Sequence, residues 1–460
     1  MAFSSLCFLF AFLPAVLALY FLSPRGGRNA VLFFSGLVFY AWGEPVFVFL
    51  LFGTVTVTYF FGRLFAKRRR GLAHPAGGWL ALALTVVLLP LFFFKYSRFF
   101  ASFLTLQLPS AGALPFGISF YTFQLLAYLI DVWRGDIPAE KNFLTFGTFG
   151  ILFPVLGSGP IVRMGEIGGE LTGRRESLDG LSAGIARFCC GLAKKILLAD
   201  ALAAGYSYYK QLLGFEPTVL GAWLTVLLYT LHLYFDFSGY TDMALGLGRM
   251  FGFSLPENFN YPYTARSIID FWRRWHQSLS RWFRDYVYIP LGGNRRGRVV
   301  QCRNLAVVWL LTGLWHGASW NFLIWGGYFC LILICEHLFL RRILERLPSV
   351  PAHCYTIFLV LISFLIFSFT DPAEGWNCFR ALFGAGGIAF SSPVATWQFV
   401  RLLPLLAVSV LGSTPLPKRV FGRLCRHAPA LVPAGVAAAL FLCSAYLVDS
   451  SFLPFAYLSF

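Results

Sequence analysis

His316 lies in Leu310 to Gly327, LLTGLWHGASWNFLIWGG, with one tryptophan immediately before it and another four residues after. Between Arg303 and Glu336 it is the one side chain able to change charge near neutral pH. An ionisable group in so apolar a run is costly and marks chemistry or a pathway by default, whereas a purely structural histidine needs a buried partner. A neutral imidazole in a dry pocket can take the proton from a hydroxyl as that hydroxyl attacks a thioester. There is no GxSxG elbow and no Ser-His-Asp order, but an acyl transfer with a histidine as general base needs neither. Trp315 and Trp320 are expected to exclude water beside it, and Asn321 or a backbone amide to face a developing oxyanion.

A second histidine, His276, occurs in ARSIIDFWRRWHQSLSRWFRDYVYIPLGGNRRGR, a stretch too charged to cross a bilayer. Helical stepping puts Ile268, Phe271, Trp272, Trp275, Leu279, Trp282, Phe283 and Tyr286 on one face, with Arg273, Arg274, Arg281 and Arg284 on the other. The pattern predicts one interfacial helix at headgroup level, with His276 at the edge of its apolar arc. Its arginines suit lipid phosphate, and equally the phosphates of coenzyme A or a phosphopantetheine arm. The glycine pair Gly292 and Gly293 marks a turn without a GxxxxGK phosphate-loop pattern.

A third polar group is LHLYFDFSGYTDMALGLGRMFGF, which holds His232, Asp236 and Asp242. The two acids are six apart and share no helical face, so pairing with Arg249 or the basic region is expected over catalysis, with Asp236 kept as a site-lining candidate. No HExxH spacing is present, and the ten cysteines contain no CxxC pair, so neither a metal site nor a disulfide framework is expected.

The elements positioning these groups follow from composition. The 460-residue chain is 58% hydrophobic and 12% charged, far below the charged fraction of soluble domains. Apolar runs long enough to cross a bilayer recur throughout, and a lipid-exposed backbone must satisfy itself, so the fold class is all-α polytopic membrane protein. The first run has no basic residue before it and reads as a retained span rather than a cleaved signal. The net charge of +17 falls in short clusters between spans, the positive-inside pattern, and implies no nucleic-acid partner. Threading by those clusters gives about twelve crossings with both termini outside. The glycine-interrupted stretch Gly147 to Arg163 is expected to be re-entrant. No internal repeat is evident, and the polar groups concentrate at His232 to Asp242 and His316 rather than along a path, which disfavours a lipid or polysaccharide transporter.

The stretches LPFGISFYTFQLLAYLIDVWRG (Leu114 to Gly135), YFDFSGYTDMALGLGRMFGF (Tyr234 to Phe253), PENFNYPYTARSIIDFWRRWHQSLSRWFRDYVYIPLGGNR (Pro256 to Arg295) and LTGLWHGASWNFLIWG (Leu311 to Gly326) together resemble the membrane-bound O-acyltransferases, in their alginate O-acetyltransferase-like branch. The resemblance spans most of the chain, with core motifs over 114–340, and implies one membrane domain over 1–460. It implies a ring of about 11–12 tilted transmembrane helices, with re-entrant and interfacial helices, around a central funnel. In it His316 would be the catalytic histidine and His276 the second histidine of the fold. It further implies no tightly bound cofactor, an acetyl-CoA or carrier-protein thioester donor, and a polysaccharide acceptor. A periplasmic or extracellular esterase-like partner and a place in the bacterial cytoplasmic membrane are also implied. Transfer of D-alanyl or another acyl group to a cell-wall polymer, lipid or protein hydroxyl is the near alternative. The ending FAYLSF, within 452–460, resembles the aromatic tail of such transferases and makes Tyr457 a candidate acyl relay; a plain interfacial anchor is the other reading.

Overall fold

The computed structural model describes residues 1–68, 77–103, 114–428 and 430–449. Among the described residues all regular structure is helical. The chain opens with α1 (Leu13–Leu22), α2 (Arg28–Gly43), α3 (Phe47–Arg68), α4 (Gly77–Leu91) and α5 (Ser97–Phe103), the last two joined by a π-helical turn at Phe92–Tyr96. α6 (Ile118–Arg134) is followed by three short helices, α7 (Phe143–Gly150), α8 (Phe153–Leu156) and α9 (Met164–Gly173). The glycine-interrupted stretch is thus a broken pair of short helices, α7 and α8, that are buried inside the protein.

α10 (Leu178–Ala193) and α11 (Asp200–Phe215) lead into the 32-residue α12 (Val219–Met250), which is buried along most of its length. α10 and α12 touch backbone to backbone. A methyl group added at Gly191 would stand 2.5 Å from the carbonyl oxygen of Gly239, and one at Gly184 2.7 Å from that of Gly246. Small residues at such crossings let helices approach until van der Waals packing holds them where lipid supplies no hydrophobic drive.

Beyond an extended stretch come α13 (Ile268–Arg274) and α14 (Gln277–Phe283), then α15 (Arg298–His316), α16 (Trp320–Cys335) and α17 (Arg341–Arg346). The chain closes with α18 (Ser349–Ser368), α19 (Pro372–Leu382), α20 (Pro393–Gly412), α21 (Leu416–His427) and α22 (Leu431–Asp449).

Seven helical stretches among the described residues are long and apolar enough to cross a membrane, Phe47–Arg68, Gly77–Ala101, Val219–Met250, Trp320–Arg346, Ser349–Ser368, Pro393–Gly412 and Leu431–Val448. Several other apolar helices are shorter; α2 and α10 have 16 residues each and α6 has 17, against the ~20 of a straight crossing. The protein is a multi-pass membrane protein. Its outward-facing apolar side chains, such as Phe49, Leu89 and Phe441, form the surface a bilayer requires.

The single interfacial helix expected over Ile268 to Tyr286 is corrected by the structure. The helix breaks at Trp275 and His276, giving two seven-residue helices with a π turn, Arg284–Tyr288, after them. All eight residues of the expected apolar face are buried within the protein, Trp272 against Phe329 of α16 and Trp275 against Phe364 of α18.

Candidate active site

His316 is the last residue of α15, and Gly317 after it is extended, with φ −173°. Ser319 precedes the first turn of α16, so the histidine stands at the tip of a helical hairpin. Glycines close the seam. A methyl group at Gly326 would lie 2.5 Å from the carbonyl oxygen of Trp309, and one at Gly313 would run into that of Phe322. The glycines flanking the histidine therefore serve close approach of α15 and α16, and the sequence between them supplies the turn.

The imidazole of His316 is 4% exposed. Its ring centroid lies 4.9 Å from that of Trp325, 5.0 Å from Trp315, 5.2 Å from Phe367 and 6.4 Å from Phe322, drawn from α15, α16 and α18. Trp315 is the hub of the arrangement. Its ring also meets His276 at 5.9 Å and Phe120 at 5.4 Å, so both sequence-singled histidines contact one tryptophan although 40 positions separate them.

His276 occupies the break between α13 and α14 in a left-handed conformation, φ +45° and ψ +54°. For a residue with a side chain this costs about 1–2 kcal/mol, and such strain persists where neighbours over-determine it. Here the neighbour is Asn258, fully buried on the extended stretch before α13. Its Oδ1 accepts from the backbone N–H and the hydroxyl of Ser278, both at 3.0 Å, and lies 3.2 Å from Nδ1 of His276. The backbone donor fixes that atom as the oxygen, so Nδ1 donates and Nε2 carries the ring's lone pair. The carbonyl of Asn258 also accepts from Gln277 N–H at 3.0 Å, so one residue pins both sides of the break.

Other expected residues take different places. Trp320 is 55% exposed, its ring turned to Phe99 at 5.9 Å rather than to the imidazole. Asn321 is buried, accepts from the Ser319 hydroxyl and donates to the carbonyl of Phe367 at 3.1 Å, tying α16 to α18. Asp236 is fully buried and receives Lys195 Nζ at 2.8 Å, which also binds Asp200 at 2.8 Å. Asp242 pairs with Arg187 and Lys194. These partners come from α10 and the π turn after it, not from Arg249. His232 lies 2.9 Å through Nδ1 from the carbonyl of Ala199. Tyr457 lies outside the described residues.

Of the four candidate donor-binding arginines, Arg274 is engaged with Asp270, Arg281 with Glu166 and Arg284 with Asp285, while Arg273 is exposed. Burial pushes the Asp285 carboxyl up, but hydrogen bonds from Arg284 and Arg163 outweigh it and hold the group below the usual carboxylate range. A cleft of ≈ 350 Å³ adjoins this cluster. Four carboxylates line it against two guanidinium groups, a balance that opposes a phosphate. Among the described residues no cluster of three or more metal-ligating side chains exists.

Two residues of the site escaped the sequence reading. One is Asn258. The other is Lys95 in the π turn after α4, whose Nζ donates to the carbonyl of Trp315 at 2.6 Å and to the hydroxyl of Ser119 at 3.3 Å.

Residues 137–371 match the sequence model of the membrane-bound O-acyltransferase family. The chain is 42% identical over 412 residues to a Pseudomonas aeruginosa protein named "Probable alginate O-acetylase AlgI", covering 87% of this chain and 77% of the relative. It is 33% identical over 433 residues to the peptidoglycan O-acetyltransferase of Helicobacter pylori, covering 84% and 80%. To the teichoic acid D-alanyltransferase of Bacillus subtilis it is 28% identical over 256 residues, covering 54% and 64%.

Proposed function

We propose, from the premise that this chain belongs to the membrane-bound O-acyltransferase family and is an O-acyltransferase, that it passes acetyl groups from a thioester donor to an exported polysaccharide, with His316 as general base. The observation that carries this reading is the position of one imidazole at the tip of the α15–α16 hairpin, enclosed by aromatic rings and beside a second imidazole. Helical rise separates His316 from the basic foot of α15 at Arg303 by about 20 Å, within the ~30 Å depth of a bilayer core.

In the proposed step the His316 imidazole takes the proton of the acceptor hydroxyl as its oxygen bonds to the thioester carbonyl carbon. The carbon–sulfur bond then breaks, and the leaving thiolate takes the proton back from the imidazolium. Trp315, Trp325, Phe322 and Phe367 keep water from the same carbonyl. Since the Asn321 amide is spent on Phe367, the oxyanion falls to the first-turn backbone amides of α16, which a helix cannot satisfy internally.

The donor assigned is acetyl-CoA or an acetylated carrier protein on the cytoplasmic side, the location the bacterial cytoplasmic membrane, and the completing partner a periplasmic or extracellular esterase-like protein. Of the four candidate donor-binding arginines, Arg273 is the one best placed to meet donor phosphate, because the other three are held by carboxylates. A relay through the hydroxyl of Tyr457 is an added step in this scheme; Tyr457→Phe with full acetylation removes it. His316→Ala is expected to abolish acetylation of the exported polysaccharide while the protein accumulates in the membrane as before. Retained acetyl content, measured on the isolated polymer, would overturn the base assignment.

A further inference from the structure

We infer that Lys95 is a positioning residue of the transfer reaction, its ammonium fixing the end of the helix that carries His316; the inference rests on the reading of His316 as the base. A lysine following the apolar stretch of α4 would ordinarily run its stem along lipid and place its charge at the headgroups. Here the helix widens into a π turn over Phe92–Tyr96, downstream of Pro90, whose ring nitrogen cannot donate to the preceding turn. Such single-turn bulges change the register of the residues after them and recur at functional sites. The amine crosses the start of α6 at Ser119 and ends 2.6 Å from the carbonyl oxygen of Trp315.

That carbonyl is in the last turn of α15, where four carbonyl oxygens have no partner within the helix and the dipole is negative. A cation there is favourable twice over, as a hydrogen-bond donor and as a charge. It also lies 5.8 Å from the centre of the Trp315 ring, within cation–π range. Trp315 is the residue directly before His316, and its ring touches both imidazoles. Fixing its carbonyl and its ring from one side fixes the backbone from which the His316 ring projects. An apolar side chain of equal length would fill the same space without either constraint, so the role separates from packing.

The test compares Lys95→Met, which keeps volume and removes the charge, with Lys95→Arg, which keeps the charge, using [¹⁴C]acetyl-CoA in membrane vesicles that contain the full chain, its partner and acceptor polymer. Lys95→Met is expected to accumulate normally, keep its thermal midpoint in detergent and keep the KM for acetyl-CoA, yet lose kcat by about ten- to a hundredfold, the size of effect that misplacing a reacting group brings. Lys95→Arg is expected to recover a measurable part of that loss. Full kcat in Lys95→Met overturns the inference. So does a loss shared equally by both variants together with a lowered thermal midpoint, because that describes a structural lysine. His316→Ala, run alongside, keeps the two readings apart: activity in that variant removes the assigned base itself, whereas an inactive His316→Ala beside a fully active Lys95→Met removes only the role of Lys95.

Discussion

The side-chain oxygen of Asn258 accepts from the Ser278 amide, the Ser278 hydroxyl and the His276 ring, so deleting it leaves three buried donors unmet at once. Each orphaned donor carries a desolvation penalty of about 1–3 kcal/mol, and the strained backbone at His276 loses what holds it. Asn258→Ala is therefore expected to lower the thermal unfolding midpoint of the detergent-extracted protein and to reduce acetylation; an unchanged midpoint would mean that the break at His276 is held by something else. The two histidines were legible because ionisable side chains in apolar surroundings announce themselves by type alone. Asn258 was not. Its partner His276 is 18 residues away, and nothing in PENFNYPY distinguishes an asparagine that pins a helix break from one that ends a turn. Lys95 stood inside FFFKYS, where an isolated charge after an apolar run carries the same signal as His316, so the rule that found the histidine was sufficient to find the lysine.

Between helices the site is built on glycine seams, and adjacent glycines of α16 make them testable. A methyl group at Gly326 meets the Trp309 carbonyl at 2.5 Å, while one at Gly327 meets nothing within 4 Å. Gly326→Ala is expected to push α16 off α15, lower both accumulation and thermal midpoint, and displace His316 enough to cut activity. Gly327→Ala is expected to leave all three unchanged or to raise the midpoint slightly, by the roughly 0.5–1 kcal/mol that alanine gains over glycine within a helix. Equal behaviour of the pair, read by immunoblot of membranes and by thermal unfolding, would contradict the seam. Helical periodicity serves where, as in the two arms of this hairpin, an apolar run stays helical from end to end. It failed over Ile268 to Tyr286 for a physical reason. The apolar arc continues in phase through the break, since both halves bury the same face, and the energy that breaks the helix comes from the extended stretch before it rather than from the helix itself.

For the molecule as a whole, fold class was readable from composition because a bilayer admits only helices or closed barrels, and runs this apolar and unalternating exclude the second. The partners of the buried acids were not readable, because Lys195 and Arg187 reach Asp236 and Asp242 from an earlier helix and any cation at that depth would have satisfied the sequence. Orientation follows from the distribution of charge. α21 presents Lys418, Arg419, Arg423 and Arg426 on an exposed amphipathic helix, joined through the 20-residue α20 to a loop at 383–392 that carries no charge. By the positive-inside rule we propose that α21, Arg303 and Arg341 share the cytoplasmic face, the side to which the proposed function assigns the thioester donor, and that the 383–392 loop lies on the other. In a variant without native cysteines, Ala389→Cys is expected to react with a membrane-impermeant maleimide in intact spheroplasts, and Gly422→Cys only after the membrane is opened. Both positions tolerate the change, Ala389 being exposed and Gly422 having nothing within 4 Å of an added methyl. Labelling of the two from the same side would mean that α20 does not cross between them, and would remove α21 as a marker of the cytoplasmic face.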